Sequence, residues 1–340
     1  MVLSAIDGVN VLALQEVADP VPGPGEVLVR VTYCAVNRLD IWVAEDVGHA
    51  YQAKSPLIPG YDVTGDVVAL GPGVADVAVG EVVYVHYDYG CGRCVYCLEG
   101  DEASCAQYGV MGVNVDGGYA QLLVAPARNI FRLDGLAPDV AAAAGSVYLT
   151  AYHMLFARAV LRPGETVLVT AAGSGVGGAA IALAQFAGAR VIATASTADK
   201  RERALAGGAE AAIDYTRAGW GEEVRKAAGQ AGVDVVIDHV GEATFAEALS
   251  TLAPKGRMVV CGASSGGAAT LDLIDLFARQ ISLLGSSDGS RRELVEVFRL
   301  LRDGLIAPPR IDAVFPLDQA AEAQARLAGR AHYGRVLLQP

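Results

Sequence analysis

Strand-like and helix-like segments alternate along this chain between about residue 150 and residue 286. The strand-like segments are apolar over most of their length, as in TVLVTA from Thr166, RVIATA from Arg190 and VDVVID from Val233. Strands that are apolar on both faces and joined through helices are typical of a parallel sheet covered on both sides. The alternation therefore predicts an α/β domain built on a doubly wound parallel sheet of six strands.

A glycine-rich turn follows the first of these strands. The run TVLVTAAGSGVGGAAIALA fits G-x-G-x-x-G when it is read from Gly173, and it also fits a shifted register that begins at Ala172. In either register a strand ends, the chain turns tightly, and a helix begins with free N–H groups that can bind a pyrophosphate. We therefore predict a dinucleotide site formed by Gly173, Ser174, Gly175, Val176 and Gly177. Tight helix–strand packing without a ligand is the alternative.

The tip of the second strand carries no acidic residue. Sites for NAD(H) place an Asp or Glu there, where it binds the ribose hydroxyls. Here RVIATA ends at Ala195 and is followed by Ser196, Asp199 is the nearest carboxylate, and Lys200 and Arg201 lie just beyond. A hydroxyl and a cation suit a 2′-phosphate. This favours NADPH as the cofactor, with Ser196 and Lys200 as ligands, and leaves NADH as the alternative.

The first 130 residues or so indicate β-structure. Short apolar segments such as DVVAL and EVVYV alternate with glycines, which is typical of a compact β-barrel-like domain. Beyond about residue 290 two helical segments, the pair Pro308-Pro309 and a last strand-like run RVLLQ follow. We expect this tail to return to the first domain. The sequence thus predicts one domain over residues 1–149 and 287–340, and a cofactor-binding domain over residues 150–286.

Cysteine is concentrated in one short stretch of the first domain. Four of the six cysteines follow the spacing C-x2-C-x2-C-x7-C, within a lobe at about residues 86–110. Such short gaps let a tight loop place four thiolates around one point, as a tetrahedral zinc ion requires. The spacing predicts one structural zinc ion bound by Cys91, Cys94, Cys97 and Cys105. Two disulfides or four buried thiols are the alternatives.

Composition limits the partners of the chain. The formal net charge of −12 argues against nucleic acid and against an anionic membrane. The N-terminal run MVLSAIDGVNVLAL has no basic segment, so we expect no signal peptide and a cytoplasmic location. The uncharged stretch 140–157 contains several polar residues, and we expect a buried helix rather than a membrane span. A small-molecule substrate is the expected partner.

Over nearly its whole length the chain resembles the medium-chain dehydrogenase/reductase superfamily, in particular its quinone oxidoreductase-like and alcohol dehydrogenase-like branches. The resemblance is carried by the cysteine spacing and by the runs PLIPGYDVTGDVVALGPGV, YLTAYHML, AAGSGVGGAAIALA and HYGRVLL. It implies a GroES-like β-barrel catalytic domain interrupted by a Rossmann domain. It also implies that Thr150, Val240, Gly262 and Ala263 line the nicotinamide side, and that Tyr215 lies on the adenine-phosphate side with Ser196 and Lys200.

Zinc alcohol dehydrogenases of this superfamily carry a second, catalytic zinc ion. Its ligands come from G-V-C-x-x-D, from G-H-E and from a cysteine near the domain junction. The matching positions of this chain hold Asn37, Tyr61 and Ser146. Neutral amide and hydroxyl oxygens bind Zn²⁺ poorly, so the resemblance predicts that the catalytic zinc is absent.

Without a Lewis acid, hydride transfer to an acceptor that is already electrophilic is the expected chemistry. Quinones and activated alkenes such as enones meet this requirement. The candidate hydrogen-bond donors to the developing enolate are Asn37, Tyr51 and Tyr61, with Ser146 a weaker one.

Two other functions remain open at this point. The chain could be an alcohol dehydrogenase with an atypical metal site built from Asp40, Asp62 or Cys34. It could also be an NADPH-binding sensor without turnover. The last apolar strand of the sheet would be an exposed edge unless it pairs with a second copy, so we expect a homodimer, with a tetramer as the alternative.

Overall fold

The computed structural model describes residues 1–6, 9–45, 53–229 and 231–340. The strands are β1 (Val2–Ile6), β2 (Val9–Ala13), β3 (Glu26–Val36), β4 (Asp62–Leu70), β5 (Val82–Val85), β6 (Asp88–Tyr89), β7 (Gly109–Val110), β8 (Leu122–Pro126), β9 (Ile130–Arg132), β10 (Thr166–Val169), β11 (Arg190–Thr194), β12 (Ala211–Ile213), β13 (Val233–Asp238), β14 (Leu252–Val260), β15 (Ser282–Gly285), β16 (Ile311–Pro316) and β17 (Arg335–Gln339). The helices are α1 (Arg38–Ala44), α2 (Val95–Glu99), α3 (Pro138–Tyr152), α4 (Gly175–Phe186), α5 (Ala198–Ala206), α6 (Trp220–Ala228), α7 (Glu242–Ser250), α8 (Leu273–Ala278), α9 (Arg291–Arg302) and α10 (Ala320–Ala328).

The chain divides into two compact units. The first comprises Met1–Gly145 and Arg310–Pro340, and the second comprises Ser146–Pro309. The predicted boundaries at 149/150 and 286/287 differ from these positions. The first boundary falls inside α3, and the second follows the pair Pro308-Pro309, so that α9 belongs to the second unit. An amphipathic helix shows that one of its faces is buried, but its pattern does not show against which domain.

The first unit is built on a seven-stranded sheet. Its order is β16-β17-β3-β4-β5-β9, and β8 pairs with the other end of β3. Strand β3 is eleven residues long, which lets it pair with β4 along one edge and with both β8 and β17 along the other. Strand β17 comes from the end of the sequence and lies antiparallel to β3 at Cys34–Val36. Residues 310–340 thus lie in the first compact unit.

The second unit contains the predicted six-stranded parallel sheet. Its order is β12-β11-β10-β13-β14-β15, and every neighbouring pair is parallel. This order reverses direction between β10 and β13, and ligands of doubly wound sheets bind at such a reversal, beyond the carboxyl ends of the strands. Leu168, Ile192, Val236 and Met258 come from four adjacent strands and are buried together in the core of this unit.

The apolar stretch that resembles a membrane span is a largely buried helix. Helix α3 continues into a π-helical segment, His153–Arg158, and the combined 21 residues are long and apolar enough to cross a membrane. However, 67% of the most apolar window is buried inside the protein. Ala142 and Ala143 of α3 pack against Ala35 of β3 and Leu337 of β17. Small alanine side chains let this helix approach the sheet closely.

Candidate functional site

The residues predicted to bind the dinucleotide lie mostly at one edge of the parallel sheet. The turn 171–177 follows β10, Ser196 and Lys200 follow β11, and Tyr215 follows β12. Val240 follows β13, and Gly262 with Ala263 follows β14. Because carboxyl ends of parallel strands meet at the same edge, the fold gathers these residues from five strands. Thr150 is placed differently, within α3.

The structure distinguishes the two glycine registers that the sequence left open. A Cβ atom added at Gly177 would lie 2.6 Å from the carbonyl oxygen of Ala171 and 2.8 Å from Cα of Ala172, so only glycine fits there. A Cβ at Gly178 would meet nothing within 4 Å. Gly177 is the glycine that lets α4 pack closely on the preceding strand, which is the role of the last glycine of the fingerprint. The register that begins at Ala172 is therefore the one the fold uses.

Ser174 is the N-cap residue of α4. Its Oγ accepts a hydrogen bond from the backbone N–H of Gly177 at 2.9 Å. The same Oγ lies 2.8 Å from Nε2 of His239, which follows β13. Burial lowers the pKa of His239, while the neighbouring Asp238 raises it in part, so the surroundings favour the neutral imidazole. The remaining N–H groups at the start of α4 are the donors that a pyrophosphate would bind.

The tip of β11 has the acid-free character that the sequence predicted. Ser196 is half-buried, and the Lys200 N–H donates to the N-cap hydroxyl of Thr197 at 3.3 Å. The nearest carboxylate, Asp199, forms an ion pair with Arg203 one helical turn away, at 2.9 Å. Asp199 is therefore engaged along the helix. Among the described residues that follow β11 directly, none presents an acid at the tip.

Asn37 lies at the centre of a buried polar network in the first unit. Its side-chain amide donates to Asp62 Oδ2 at 2.9 Å and to the carbonyl of Ala35 at 3.3 Å. The guanidinium of Arg335 donates to Asn37 Oδ1 and to Asp62 Oδ2, each at 2.9 Å. Tyr84 completes the network with a hydrogen bond to Asp62 Oδ1 at 2.8 Å. The residues Asn37, Asp62, Tyr84 and Arg335 are all at most 5% exposed.

Asp40 is held beneath the same network by α1. Its Oδ2 accepts the backbone N–H of Asn37 at 2.8 Å and the hydroxyl of Tyr119 at 3.1 Å. Burial raises the pKa of Asp40 to about 7, and the charge of Asp62 adds to this effect, whereas the two hydrogen bonds oppose it. Asp40 therefore titrates near neutral pH.

The structure gives different information on each of the three predicted hydrogen-bond donors. Tyr51 lies outside the described residues. Both amide hydrogens of Asn37 are already bonded to Asp62 and Ala35, which disfavours the predicted donation to a substrate. Tyr61 is half-buried and packs edge-on against the ring of Tyr87, with centroids 4.9 Å apart. The donation from Tyr61 to a substrate stays a prediction.

Ser146, the weaker candidate, is 5% exposed within α3.

The sequence analysis assigned no role to Arg335 or Tyr84. A single arginine in the otherwise apolar run RVLLQ was the available signal for Arg335, since a buried charge needs a partner.

The four cysteines of the lobe converge as predicted. Their Sγ atoms all lie within 4.8 Å of one another, and those of Cys91 and Cys97 are 4.0 Å apart. The backbone N–H of Cys94 donates to Cys91 Sγ at 3.3 Å, and the N–H of Gln107 donates to Cys105 Sγ at 3.3 Å. Nearby backbone N–H groups, first that of Arg93, lower the pKa of Cys91 to about 6. All six cysteines of the chain are free, so the disulfide alternative is wrong.

This donor set fits a zinc ion. A tetrahedral site with Zn–S bonds of about 2.3 Å separates its sulfur atoms by about 3.8 Å, close to the spacing found. The N–H···S hydrogen bonds stabilise thiolates, which are the form that binds metal. Among the described residues, these four cysteines are the only group of three or more His, Cys, Asp or Glu side chains gathered in this way. Cys34, Asp40 and Asp62 do not form a second such group.

Taken together, a Rossmann-type sheet with a phosphate-binding turn and a β-barrel-like unit with a four-cysteine lobe define a dinucleotide-dependent oxidoreductase. Comparison with known proteins supports this class of enzyme. Residues 23–135 match the family described as alcohol dehydrogenase GroES-like domain, and residues 175–303 match the family described as zinc-binding dehydrogenase.

Individual relatives match over nearly the whole chain. An NAD-dependent alcohol dehydrogenase from Sulfolobus acidocaldarius is 31% identical over 335 residues, which cover 96% of each chain. A 2-haloacrylate reductase from a Burkholderia species is 29% identical and covers 100% of this chain and 99% of the relative. The crystal structure of an NAD-dependent alcohol dehydrogenase superposes with a TM-score of 0.93 at 39% identity, covering 100% and 99% of the two chains.

The chain belongs to the medium-chain dehydrogenase/reductase superfamily. It is a nicotinamide-dependent oxidoreductase.

Proposed function

We propose that this protein uses NADPH to reduce activated alkenes, meaning α,β-unsaturated carbonyl compounds, or quinones, without a zinc ion at the reaction centre. The observation that carries this proposal is the network around Asn37. At the position where the superfamily's zinc alcohol dehydrogenases have a cysteine ligand, this chain has an amide whose oxygen accepts a hydrogen bond from Arg335. Tyr61 and Ser146 stand at the other two ligand positions.

Electrostatics oppose a second metal ion at this place. The one ligand-capable atom of Asn37 lies 2.9 Å from a guanidinium nitrogen of Arg335. A divalent cation bound at that oxygen would lie beside a buried positive charge, and like charges repel strongly where little water screens them. The carboxylate of Asp62 is already paired with Arg335 at 2.9 Å. The side-chain oxygen of Asn37 and the carboxylate of Asp62 are therefore already bound to a cation of the protein itself.

The proposed reaction needs no activated alkoxide. When bound, NADPH would supply the hydride that adds to the β-carbon of the alkene. The π-electron pair then moves onto the carbonyl oxygen as an enolate, and a proton adds to the α-carbon to give the saturated product and NADP⁺. The Tyr61 hydroxyl is proposed to donate a hydrogen bond to the enolate oxygen, because negative charge develops there.

The experiment that tests this function measures both turnover and zinc content. NADPH oxidation is followed with a panel of enones, 2-haloacrylate, quinones and simple aldehydes, reduction of NADP⁺ and NAD⁺ is followed with simple alcohols, and zinc is counted per chain. We expect turnover with electrophilic acceptors that resists chelators, and one zinc per chain. Two zinc ions per chain with chelator-sensitive oxidation of alcohols would overturn the proposal and favour an alcohol dehydrogenase, the activity named for two of the similar proteins. Tight NADPH binding with every acceptor inert would favour a sensor.

The role of Tyr61 is tested by Tyr61→Phe. Loss of a hydrogen bond made to the transition state should lower kcat about 100-fold and change KM for the acceptor little. Tyr33→Phe, a half-buried tyrosine of β3 with no assigned role, is the matched control. Equal losses in both variants would show that the assay measures packing and not the hydrogen bond to the enolate oxygen.

The preference for NADPH is tested at Lys200. Lys200→Ala should raise KM for NADPH about tenfold and leave KM for NADH nearly unchanged, because only NADPH carries the 2′-phosphate. Arg203→Ala removes a cation from the same helix that is already paired with Asp199, and it should change neither value. An equal effect of Lys200→Ala on both cofactors would contradict NADPH specificity.

We also propose a homodimer formed through β15. This strand is the edge of the six-stranded sheet, and Leu283 on it is 40% exposed. Leu273, Ile274 and Phe277 of α8 are each at least 64% exposed. Sedimentation equilibrium at micromolar concentration should give a dimer. A monomer would contradict the proposal, and a tetramer would require a second contact.

A further inference from the structure

The hydrogen bonds of Ser174 leave one hydrogen of the dinucleotide turn unassigned. A serine hydroxyl accepts two hydrogen bonds and donates one. Its Oγ accepts from the Gly177 N–H at 2.9 Å, and it lies 2.8 Å from His239 Nε2. If Nε2 carries a hydrogen, both lone pairs of Ser174 are filled and the hydroxyl hydrogen is available for a ligand. If Nε2 is bare, the hydroxyl hydrogen is used by the imidazole.

The other ring nitrogen of His239 indicates which arrangement holds. Nδ1 is buried and has no hydrogen-bond partner among the described residues. A buried N–H without an acceptor is unfavourable, and buried N–H groups of this kind are rarer than unmet acceptors. A neutral imidazole with its hydrogen on Nε2 avoids such an N–H, because Nδ1 is then only an unmet acceptor. Nε2 therefore donates to Ser174 Oγ.

We infer that His239 is a positioning residue of the dinucleotide turn. By donating from Nε2 to Ser174 Oγ, it directs the Ser174 hydroxyl hydrogen away from the protein and towards a phosphate oxygen of the bound dinucleotide. The ring does not itself touch the cofactor in this role. The inference rests on the nicotinamide cofactor and is independent of the acceptor, so it can fail while the proposed reaction stands.

The surroundings of His239 hold its backbone close to the loop that follows β14. The Ser264 hydroxyl donates to the His239 carbonyl at 3.3 Å, and a Cβ at Gly262 would lie only 3.1 Å from that oxygen. The charged neighbour is Asp238, whose carboxylate accepts the Gly241 N–H at 3.0 Å and the hydroxyls of Thr170 and Thr244. Asp238 is thus occupied by other donors, and the contact of His239 with the turn is made through Nε2.

A spectroscopic test reads the tautomer directly. The protein is labelled with ¹⁵N-histidine, and long-range ¹H–¹⁵N spectra are recorded in complex with ADP-ribose, which contains the pyrophosphate but no reactive nicotinamide. His239→Gln assigns the signal. We expect the Nε2–H tautomer in the complex. A bare Nε2, with the hydrogen on Nδ1, would overturn the inference.

Variants then test whether His239 acts through Ser174. His239→Met removes the donor at similar size and should weaken ADP-ribose binding about tenfold, whereas His239→Gln can still donate an amide hydrogen and should stay within about threefold. Ser174→Ala should also weaken binding about tenfold, and His239→Met should have no further effect in that background. A further tenfold loss in the double variant would overturn the inference. His153→Gln, another histidine of this unit, is the control for general losses.

Discussion

The cysteine lobe and the buried network around Asn37 belong to the same unit, and they differ in what satisfies their polar atoms. In the lobe, four sulfur atoms converge within 4.8 Å and backbone N–H groups stabilise their anionic form. In the network, Asp62 and Asn37 converge on the guanidinium of Arg335 at 2.9 Å. One region gathers ligands for an external cation, and the other already contains its cation.

The difference also distinguishes the structural zinc ion of the lobe from the catalytic zinc ion of this superfamily. The lobe follows from one stretch of fifteen residues, Cys91 to Cys105, so its metal site can be retained independently of the reaction centre. The network draws on residues as far apart as Asn37 and Arg335, 298 positions along the chain. A four-cysteine signature is therefore informative about a structural ion and silent about a catalytic one.

Removing a lobe ligand should have the largest effect. Cys94→Ser leaves three thiolates, and we expect zinc content to fall from one to near zero per chain and the free energy of unfolding to fall by more than about 4 kcal/mol. The second unit should still bind ADP-ribose. Metal analysis and urea unfolding measure these changes, with Cys261→Ser as the control outside the lobe. A zinc-loaded Cys94→Ser protein of unchanged stability would contradict the assignment.

Removing the internal cation should have the next largest effect. Arg335→Met leaves the fully buried carboxylate of Asp62 without a counter-charge, and it should cost about 3–5 kcal/mol. Arg335→Lys keeps the charge and should cost less. In the Asp62→Asn background the loss from Arg335→Met should shrink strongly, because no buried charge remains unpaired. Equal losses in both backgrounds, measured by urea unfolding, would show that Arg335 does not stabilise Asp62.

The pKa of Asp40 predicts a pH dependence of stability. Its folded-state value of about 7 exceeds the ordinary 3.8, so the folded state binds the proton more tightly. Stability contributed by this group is present at low pH and lost as pH rises from about 4 to about 7, by at most about 4 kcal/mol.

Asp40→Asn stays neutral and should remove that loss. Its stability relative to the wild type should be about 2–4 kcal/mol more favourable at pH 8 than at pH 4. Asp76→Asn, at an exposed position, should show no such trend. Parallel stability–pH curves for the wild type and Asp40→Asn would contradict the raised pKa.

The smallest expected effect is that of one hydrogen bond in the network. Tyr84→Phe removes the 2.8 Å donation to Asp62 without changing ring packing, and it should cost about 1–2 kcal/mol. Tyr108→Phe removes a 2.9 Å donation to Asp88 from a partly exposed tyrosine within the lobe, and it should cost less. The reverse order would show that burial does not set the value of these bonds.

Features with a local cause could be predicted from the sequence. The cysteine spacing is local, and the parallel sheet followed from apolar strands alternating with helices. The register of the glycine turn could not be chosen, because Gly177 and Gly178 differ only in what a side chain would strike: Ala171 in one case and open space in the other. Steric contacts of this kind appear only once the helix is placed on the strand.

The long-range polar contacts could not be predicted. Nothing in EVVYV or RVLLQ shows that Tyr84 and Arg335 meet at Asp62, because the sheet brings together strands from opposite ends of the sequence. For the same reason Asn37 was expected to donate to a substrate, although its neighbours already occupy both amide hydrogens. The compact units divide after Pro309, whereas the sequence placed the division at 286/287, so α9 lies in the second unit.

The separation of Asp62 and Arg335 has a consequence during synthesis. The two residues are 273 positions apart, so at about 5–20 residues per second a ribosome makes Arg335 about 14–55 s after Asp62. Until then the nascent barrel contains a carboxylate without its guanidinium, and β3 lacks the neighbour that β17 provides. The cofactor-binding unit, whose strands all lie between these two residues, can fold in that interval. We therefore expect the second unit of the sequence to reach its native state before the first.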